Sequence, residues 1–360
     1  LNLLNKFKDP RLCLNILDQI KTELKEEFRF MEVCGTHTVA IFQSGLRTLL
    51  PEKIVHLSGP GCPVCVTHDR EIAAYLALAE KDLTIATFGD LIKVPGPAGK
   101  NLKMAQAEGA RIKIVYSAFD ALKIALENPE LKVVFLGVGF ETTAPTVAAV
   151  IRMAKEQGLK NFSVLSLHKL VPPALRALAA DREIRVDGLL LPGHVSTIIG
   201  LEPYRFLADE YNVPAVIGGF EPLDILQAIL IMLRQKNEGR VDVVNNYRRA
   251  VSDQGNARAR EVMYDVFETC DAFWRGLGTI PGSGLSIKKE YRDFDASLVY
   301  DQQLPYVDEI PGCKCGSVLK GLISPDKCPL FDTRCTPARP VGPCMVSTEG
   351  SCAAYHKYRL

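Results

Sequence analysis

Phe28-Arg-Phe-Met-Glu-Val-Cys34-Gly-Thr-His37 and Ile54-Val-His-Leu-Ser-Gly-Pro-Gly-Cys62-Pro-Val-Cys65 read alike. In each, a strand-forming run stops at a glycine-bearing turn that carries cysteine. Six more runs of the same kind follow, near Leu83–Phe88, Ile112–Tyr116, Val133–Val138, Phe162–Leu167, Gly188–Leu191 and Ala215–Gly218. Between them lie segments such as Thr142–Gln157, whose apolar residues recur at spacings of three and four, the mark of an amphipathic helix. Strands alternating with helices predict parallel sheets with helices packed on their faces. The grouping of strands predicts two similar α/β domains over 28–127 and 128–240. Arg11–Glu26 and Arg249–Trp274 read as flanking helices, and from Pro281 onward the chain is rich in Gly, Pro and Cys with little periodicity.

In an open α/β sheet, ligand sites collect at the carboxyl ends of strands. Cys34, Cys62 and Cys65 therefore converge on one crevice. Gly35, Gly59 and Gly61 allow sharp turns and close approach of the backbone. If Cys62 opens a helix, its thiol pKa falls, which favours metal binding and disulfide exchange. A lone cysteine after a strand is ordinarily a small core residue; two converging turns with Gly, Pro and His favour chemistry. His37 is a candidate ligand or proton donor, or simply bonds its loop. His168 and His194 also follow predicted strands and, taken singly, satisfy backbone groups. Glu141, in Gly137-Val-Gly-Phe-Glu141-Thr-Thr-Ala-Pro145, is a candidate acid–base group beside the crevice. The segment lacks the third glycine of a dinucleotide loop, and Thr142 or Thr143 as a helix cap is its plainer reading. Cys13 and Cys270 lie in helical patterns and read as core.

The chain has 11 cysteines, six of them between Cys313 and Cys352. Such clustering in a reducing compartment points to metal or redox chemistry rather than a disulfide scaffold. The segment holds too little apolar surface to fold on its own core, so a metal is a natural organiser. Cys313, Cys315, Cys328, Cys335, Cys344 and Cys352 lack the paired Cys-x-x-Cys knuckles of structural zinc and exceed the four thiolates of one closed site. An iron–sulfur cluster with a pair of redox thiols uses all six.

Bulk properties narrow the function. Lys and Arg number 43 against 42 Asp and Glu in 360 residues, a net charge of +1, which gives no general affinity for nucleic acid or anionic membrane. No apolar run reaches the ~20 residues of a membrane span. Leu1 to Lys8 lacks the order of a secretion signal, so a cytoplasmic location is expected.

Taken together, Cys34-Gly-Thr-His37, Gly59-Pro-Gly-Cys-Pro-Val-Cys65, Thr87-Phe-Gly-Asp90, Gly139-Phe-Glu-Thr-Thr-Ala-Pro145, Pro192-Gly-His-Val-Ser-Thr197 and Gly342-Pro-Cys-Met-Val-Ser-Thr-Glu-Gly350 resemble the HypD family of [NiFe]-hydrogenase maturation proteins. The resemblance spans nearly the whole chain. It implies a redox-active scaffold on which Fe(II) receives two cyanides and one carbon monoxide. The partners it implies are the small chaperone HypC and the cyanide donor HypE, itself loaded by HypF. It further implies a third domain built from both termini, 1–27 and 241–360, with a [4Fe–4S] cluster on Cys313, Cys328, Cys335 and Cys352 and a thiol pair, Cys315 and Cys344. Cys34 would hold the iron under assembly. Two other functions fit the residues: a stand-alone iron–sulfur thiol/disulfide reductase acting through Cys62 and Cys65, and a metal-stabilised binding module without chemistry.

Overall fold

A computed structural model describes residues 7–307 and 310–358. Residues 1–6 and 359–360, part of the expected terminal domain, and most of the Leu1–Lys8 segment lie outside the described residues. All eight expected strands form: β1 (Phe28–Glu32), β2 (Ile54–Ser58), β3 (Thr84–Thr87), β4 (Arg111–Ile114), β5 (Val133–Gly137), β6 (Phe162–Ser166), β7 (Gly188–Pro192) and β8 (Ala215–Gly218). Three more follow, β9 (Val243–Asn245), β10 (Phe267–Trp274) and β11 (Gly278–Ile287). Strands such as Val-Val-Phe-Leu-Gly and Gly-Leu-Leu-Leu-Pro are buried throughout, as strands covered on both faces must be.

The strands pair in parallel into two sheets, so the fold is α/β as expected, but the division at residue 128 is not the one the pairing makes. One sheet has the order β2-β1-β7-β8-β9 and the other β4-β3-β5-β6. Residues 84–166 thus form a sheet of their own between β2 and β7, and the first sheet is completed by the later strands. Sequence periodicity locates each strand, but spatial order is set by long-range pairing such as Phe30–Gly188.

The expected terminal domain is also regrouped. The helix Pro10–Glu23 buries Leu17 and Ile20 with Phe28, Ile225 and Ile229 of the first sheet's core, and Arg234 bonds Glu23 at 2.7 Å. It packs on the helix Pro222–Glu238, not on the cysteine-rich segment. The expected helix 249–274 is a helix only over Ala257–Val266; β10 and β11 form an antiparallel hairpin. The helix packs on Ala144–Glu156, and Phe267, Leu285 and Ile287 enter the core of the second sheet. Cys270 is therefore half-buried on a strand, and Cys13 is half-buried on its helix.

Residues 310–358 form short helices and turns that lean on the first sheet. Cys315, Leu319, Cys344 and Met345 share an apolar cluster with Met31, Val33, Cys62 and Val64. The helix Ser351–Lys357 packs on the helix Gly35–Gln43, with the Tyr355 ring 4.8 Å from Phe42. Among the described residues no helix is long and apolar enough to cross a membrane.

Candidate functional site

Each parallel sheet has one point where successive connections run in opposite directions: between β1 and β7 in the first, between β3 and β5 in the second. Loops at such a point splay apart and leave a crevice at the carboxyl ends of the strands. Cys34 follows β1, Gly193-His194 follows β7, Phe88-Gly89-Asp90 follows β3 and Gly139-Phe140-Glu141 follows β5. Four of the motifs picked out in the sequence therefore flank the two switch points.

Cys34 ends β1 and starts the helix Gly35–Gln43. Its backbone N–H donates to Glu32 Oε2 at 3.1 Å, while Thr38 Oγ1 donates to Glu32 Oε1 at 2.6 Å. The Cys62 loop lies directly against it. A Cβ on Gly61 would fall 2.2 Å from the Cys34 nitrogen, and the Gly35 N–H donates to the Gly61 carbonyl at 3.0 Å. From the other side comes Glu349: a Cβ on Gly35 would meet Glu349 Cβ at 2.5 Å, and Thr36 Oγ1 donates to Glu349 Oε1 at 2.7 Å. Ser347 Oγ in turn bonds Asp90 Oδ2 at 3.4 Å, so the loop after β3 also reaches this place. Burial, then the Glu349 and Glu32 carboxylates, push the Cys34 thiol up to about 12. It is a protonated thiol at neutral pH, and a cation must displace its proton to bind.

His37 donates from Nε2 to the Gly219 carbonyl at 2.9 Å. That fixes the tautomer and leaves Nδ1 a bare acceptor, buried and without a partner. Burial first, with His194 and His56 nearby, holds its pKa down to about 4, so the ring is neutral at pH 7. Phe220 stands between His37, at 4.6 Å, and His194, at 4.1 Å.

Cys62 and Cys65 are joined as a disulfide. Cys62 caps the short helix Pro63–Val66, its sulfur accepting the Cys65 N–H at 3.2 Å. That helix packs on the turn Pro343–Met345, which carries Cys344. Cys344 Sγ is 3.0 Å from Cys315 Sγ. All six C-terminal cysteines line one cavity, together with Val318, Leu330, Phe331 and Met345. Cys335 Sγ accepts the Val341 N–H at 3.3 Å. A Cβ on Gly342 would meet Cys313 Sγ at 2.9 Å, so glycine there admits the sulfur. Among the described residues no group of three or more His, Cys, Asp or Glu side chains could hold a metal ion as placed. Ligands of one ion crowd around a point, whereas the thiolates of an iron–sulfur cluster each bind a separate iron. Thiols around an apolar cavity, one already accepting a backbone N–H, are a donor set suited to such a cluster. The hydrogen bond to Cys315 and then burial raise the Cys313 pKa, and burial raises that of Cys335.

This geometry can be set beside known proteins. The HypD family model, described as "Hydrogenase formation hypA family", matches residues 11–359. The chain belongs to the HypD family. It is 47% identical to hydrogenase maturation factor HypD2 of Bradyrhizobium diazoefficiens, over 98% of this chain and 96% of the relative. It is 45% identical to hydrogenase maturation factor HypD of Cupriavidus necator, over 99% and 96%. To hydrogenase maturation factor HypD of Escherichia coli it is 41% identical, over 100% and 98%.

In this HypD-family chain the remaining candidates stand with the second sheet. His168 is buried, hydrogen-bonded through Nδ1 to Ser166 Oγ at 3.1 Å and packed on Phe267. Burial, then Lys169, holds its pKa down to about 3, and it reads as a core histidine. Glu141 accepts the Val171 N–H at 2.9 Å through Oε1, while Oε2 is buried without a partner. Burial pushes its carboxyl up to about 7. Tyr204 lies within electrostatic reach of both Glu141 and Cys34. Glu32, Asp90, Glu349 and Tyr204 were not among the expected site residues. Glu32, Asp90 and Glu349 did stand inside quoted stretches; Tyr204 carried no local signal.

Because the folded pKa of Glu141 exceeds the ordinary 4.5, the fold favours its neutral form. The benefit is complete below pH 4.5 and is lost as pH rises to 7, a change of about 3 kcal/mol at ~1.4 kcal/mol per unit. Urea denaturation across that range should therefore show Glu141→Gln gaining stability relative to wild type as pH rises. Parallel pH profiles for the two proteins would contradict the assignment.

Proposed function

We propose that this chain is a hydrogenase maturation factor that serves as a redox-active scaffold for assembling the Fe(CN)2CO unit. It would do so with a HypC-type small chaperone and with cyanide delivered by HypE. The observation that carries this reading is the buried Cys34 thiol at a sheet switch point, pressed against the Cys62–Cys65 disulfide loop. Fe(II) is the cargo, and Cys34 is the thiolate that holds it. His37, on the helix that Cys34 caps, keeps a buried, bare Nδ1 and is a candidate ligand. Glu32, bonded to the Cys34 amide and to Thr38, fixes the turn. Glu349 closes it from the C-terminal side. Soft thiolate support suits iron carrying cyanide and carbon monoxide.

Cys313, Cys328, Cys335 and Cys352 would hold a [4Fe–4S] cluster, which supplies single electrons when bound. The remaining pair, Cys315 and Cys344, works by thiol–disulfide exchange. The Cys344 thiolate attacks the Cys62–Cys65 disulfide to give a mixed disulfide, and Cys315 resolves it. The products are a Cys315–Cys344 disulfide and two thiols at Cys62 and Cys65, so two electrons pass from one pair to the other. Packing of Pro63–Val66 on Pro343–Met345 supports this route. A stand-alone reductase is less well supported: Cys62 is 3% and Cys65 0% exposed, out of reach of an external protein disulfide.

Two measurements test the thiol sites. Cys335→Ala should lose cluster iron and sulfide and loosen residues 310–358. If Mössbauer spectra of the anaerobic wild type show no cubane iron, the cluster assignment is wrong. The double variant Cys315→Ser, Cys344→Ser should keep its cluster and bind its chaperone, yet fail to reduce an oxidised Cys62–Cys65 pair when supplied with electrons. Reduction at the wild-type rate would make the pair an inert feature of the fold.

A further inference from the structure

Arg275 opens the turn after β10 and is 7% exposed. Its guanidinium donates to both oxygens of Asp69, at 2.8 and 2.7 Å, and through Nε and Nη2 to the Thr67 carbonyl at 3.2 and 3.0 Å. Its backbone N–H donates to the Val66 carbonyl at 3.0 Å, and Trp274 bridges to Thr67. The residues it grips run directly on from Cys62 and Cys65. Its other side faces the C-terminal cysteines. Arg275 lines a polar pocket with Cys313, Cys315 and Lys314. A Cβ on Gly276 would fall 2.3 Å from Gly316 Cα, so the turn lies against the backbone next to Cys315. Against burial, the paired Asp69 carboxylate holds the guanidinium protonated.

We propose that Arg275 is a positioning residue that couples the two cysteine sites, its fixed charge raising the reduction potential of the group held at Cys313 while its grip on Thr67 and Asp69 anchors the Cys62–Cys65 segment. The inference rests on the iron–sulfur reading above. Accepting an electron adds negative charge at the cluster. A buried cation beside it, little screened by salt, favours that added charge. Net charge and hydrogen bonding around a cluster are known levers on its potential. Asp69 opposes the effect, so the two members of one ion pair make opposite predictions. A merely structural role makes no such prediction of sign.

The test is an anaerobic redox titration of the full-length protein, read by electron paramagnetic resonance, on wild type, Arg275→Gln, Arg275→Lys and Asp69→Asn. Arg275→Gln leaves Asp69 uncompensated and should cut the reduced-to-oxidised ratio at a fixed potential about tenfold, ~59 mV for a one-electron couple. Asp69→Asn should move the ratio the opposite way. Arg275→Lys, which keeps the charge but not the fork, should stay close to wild type. If Arg275→Gln fails to fold, the sign for Asp69→Asn together with the rescue by lysine still decides. Shifts of the same sign in Arg275→Gln and Asp69→Asn, or no shift in any variant, overturn the proposal and leave the cluster reading intact. A wild-type protein without a cluster overturns that reading, and this inference with it.

Discussion

If the proposed function holds, replacing Cys34 by alanine is expected to abolish cyanide and carbonyl infrared bands in protein purified anaerobically with a HypC-type small chaperone, leaving C-terminal iron and sulfide unchanged. The substitution removes one sulfur and little else. The hydrogen bond from residue 34 to Glu32 is made by the backbone amide, and the Gly35–Gly61 and His37–Gly219 bonds do not involve the thiol. Loss of so few buried atoms costs about 1 kcal/mol of stability, too little to unfold a protein of this size. Loss of the bands would therefore report loss of a ligand rather than loss of the fold. Bands at wild-type intensity in the variant would remove Cys34 from the role.

A second large effect is expected at Gly61. An added Cβ would sit 2.2 Å from the Cys34 nitrogen, 2.4 Å from the Val33 carbonyl carbon and 2.5 Å from Cys34 Cα. All three are backbone atoms, so no side-chain rotation relieves the clash. Gly61→Ala must pry the two cysteine loops apart, at a cost of about 3 kcal/mol. Gly35→Ala should be destabilising as well, since its Cβ would meet Glu349 Cβ at 2.5 Å and the Glu349 carbonyl oxygen at 2.7 Å, neither of which a side-chain rotation moves. Urea denaturation checks both. A wild-type midpoint for Gly61→Ala would mean that the two loops do not touch as described.

Much of the first-sheet site could be read locally. Cys34, Cys62 and Cys65 stand in turns whose glycines and proline mark them without reference to distant residues, and the turns do meet. Glu349 could not be placed this way, because the bond to Thr36 joins residues 313 positions apart. The strands were legible for a related reason: a buried parallel strand is a short apolar run wherever it lies. Their order was not, since β7 carries nothing local to say that it pairs with β1. The hairpin was missed for another cause. Its register shifts between Cys270 and Ala272, and such a bulge breaks the alternation by which a strand is read. Helix Pro10–Glu23 was found by its periodicity, but the partner of an amphipathic face is a tertiary fact. Burial of Leu17 and Ile20 against Phe28 and Ile229 moved it from the expected terminal domain to the first sheet.

Under the proposed function, this chain would hold iron while diatomic ligands are attached to it. Infrared spectroscopy of the wild-type protein, purified anaerobically with and without a HypC-type chaperone, tests that most directly. Cyanide and carbonyl stretching bands should be present in the complex and should shift when the cyanide is isotopically labelled. A folded, chaperone-bound, iron-containing protein without such bands would contradict the account.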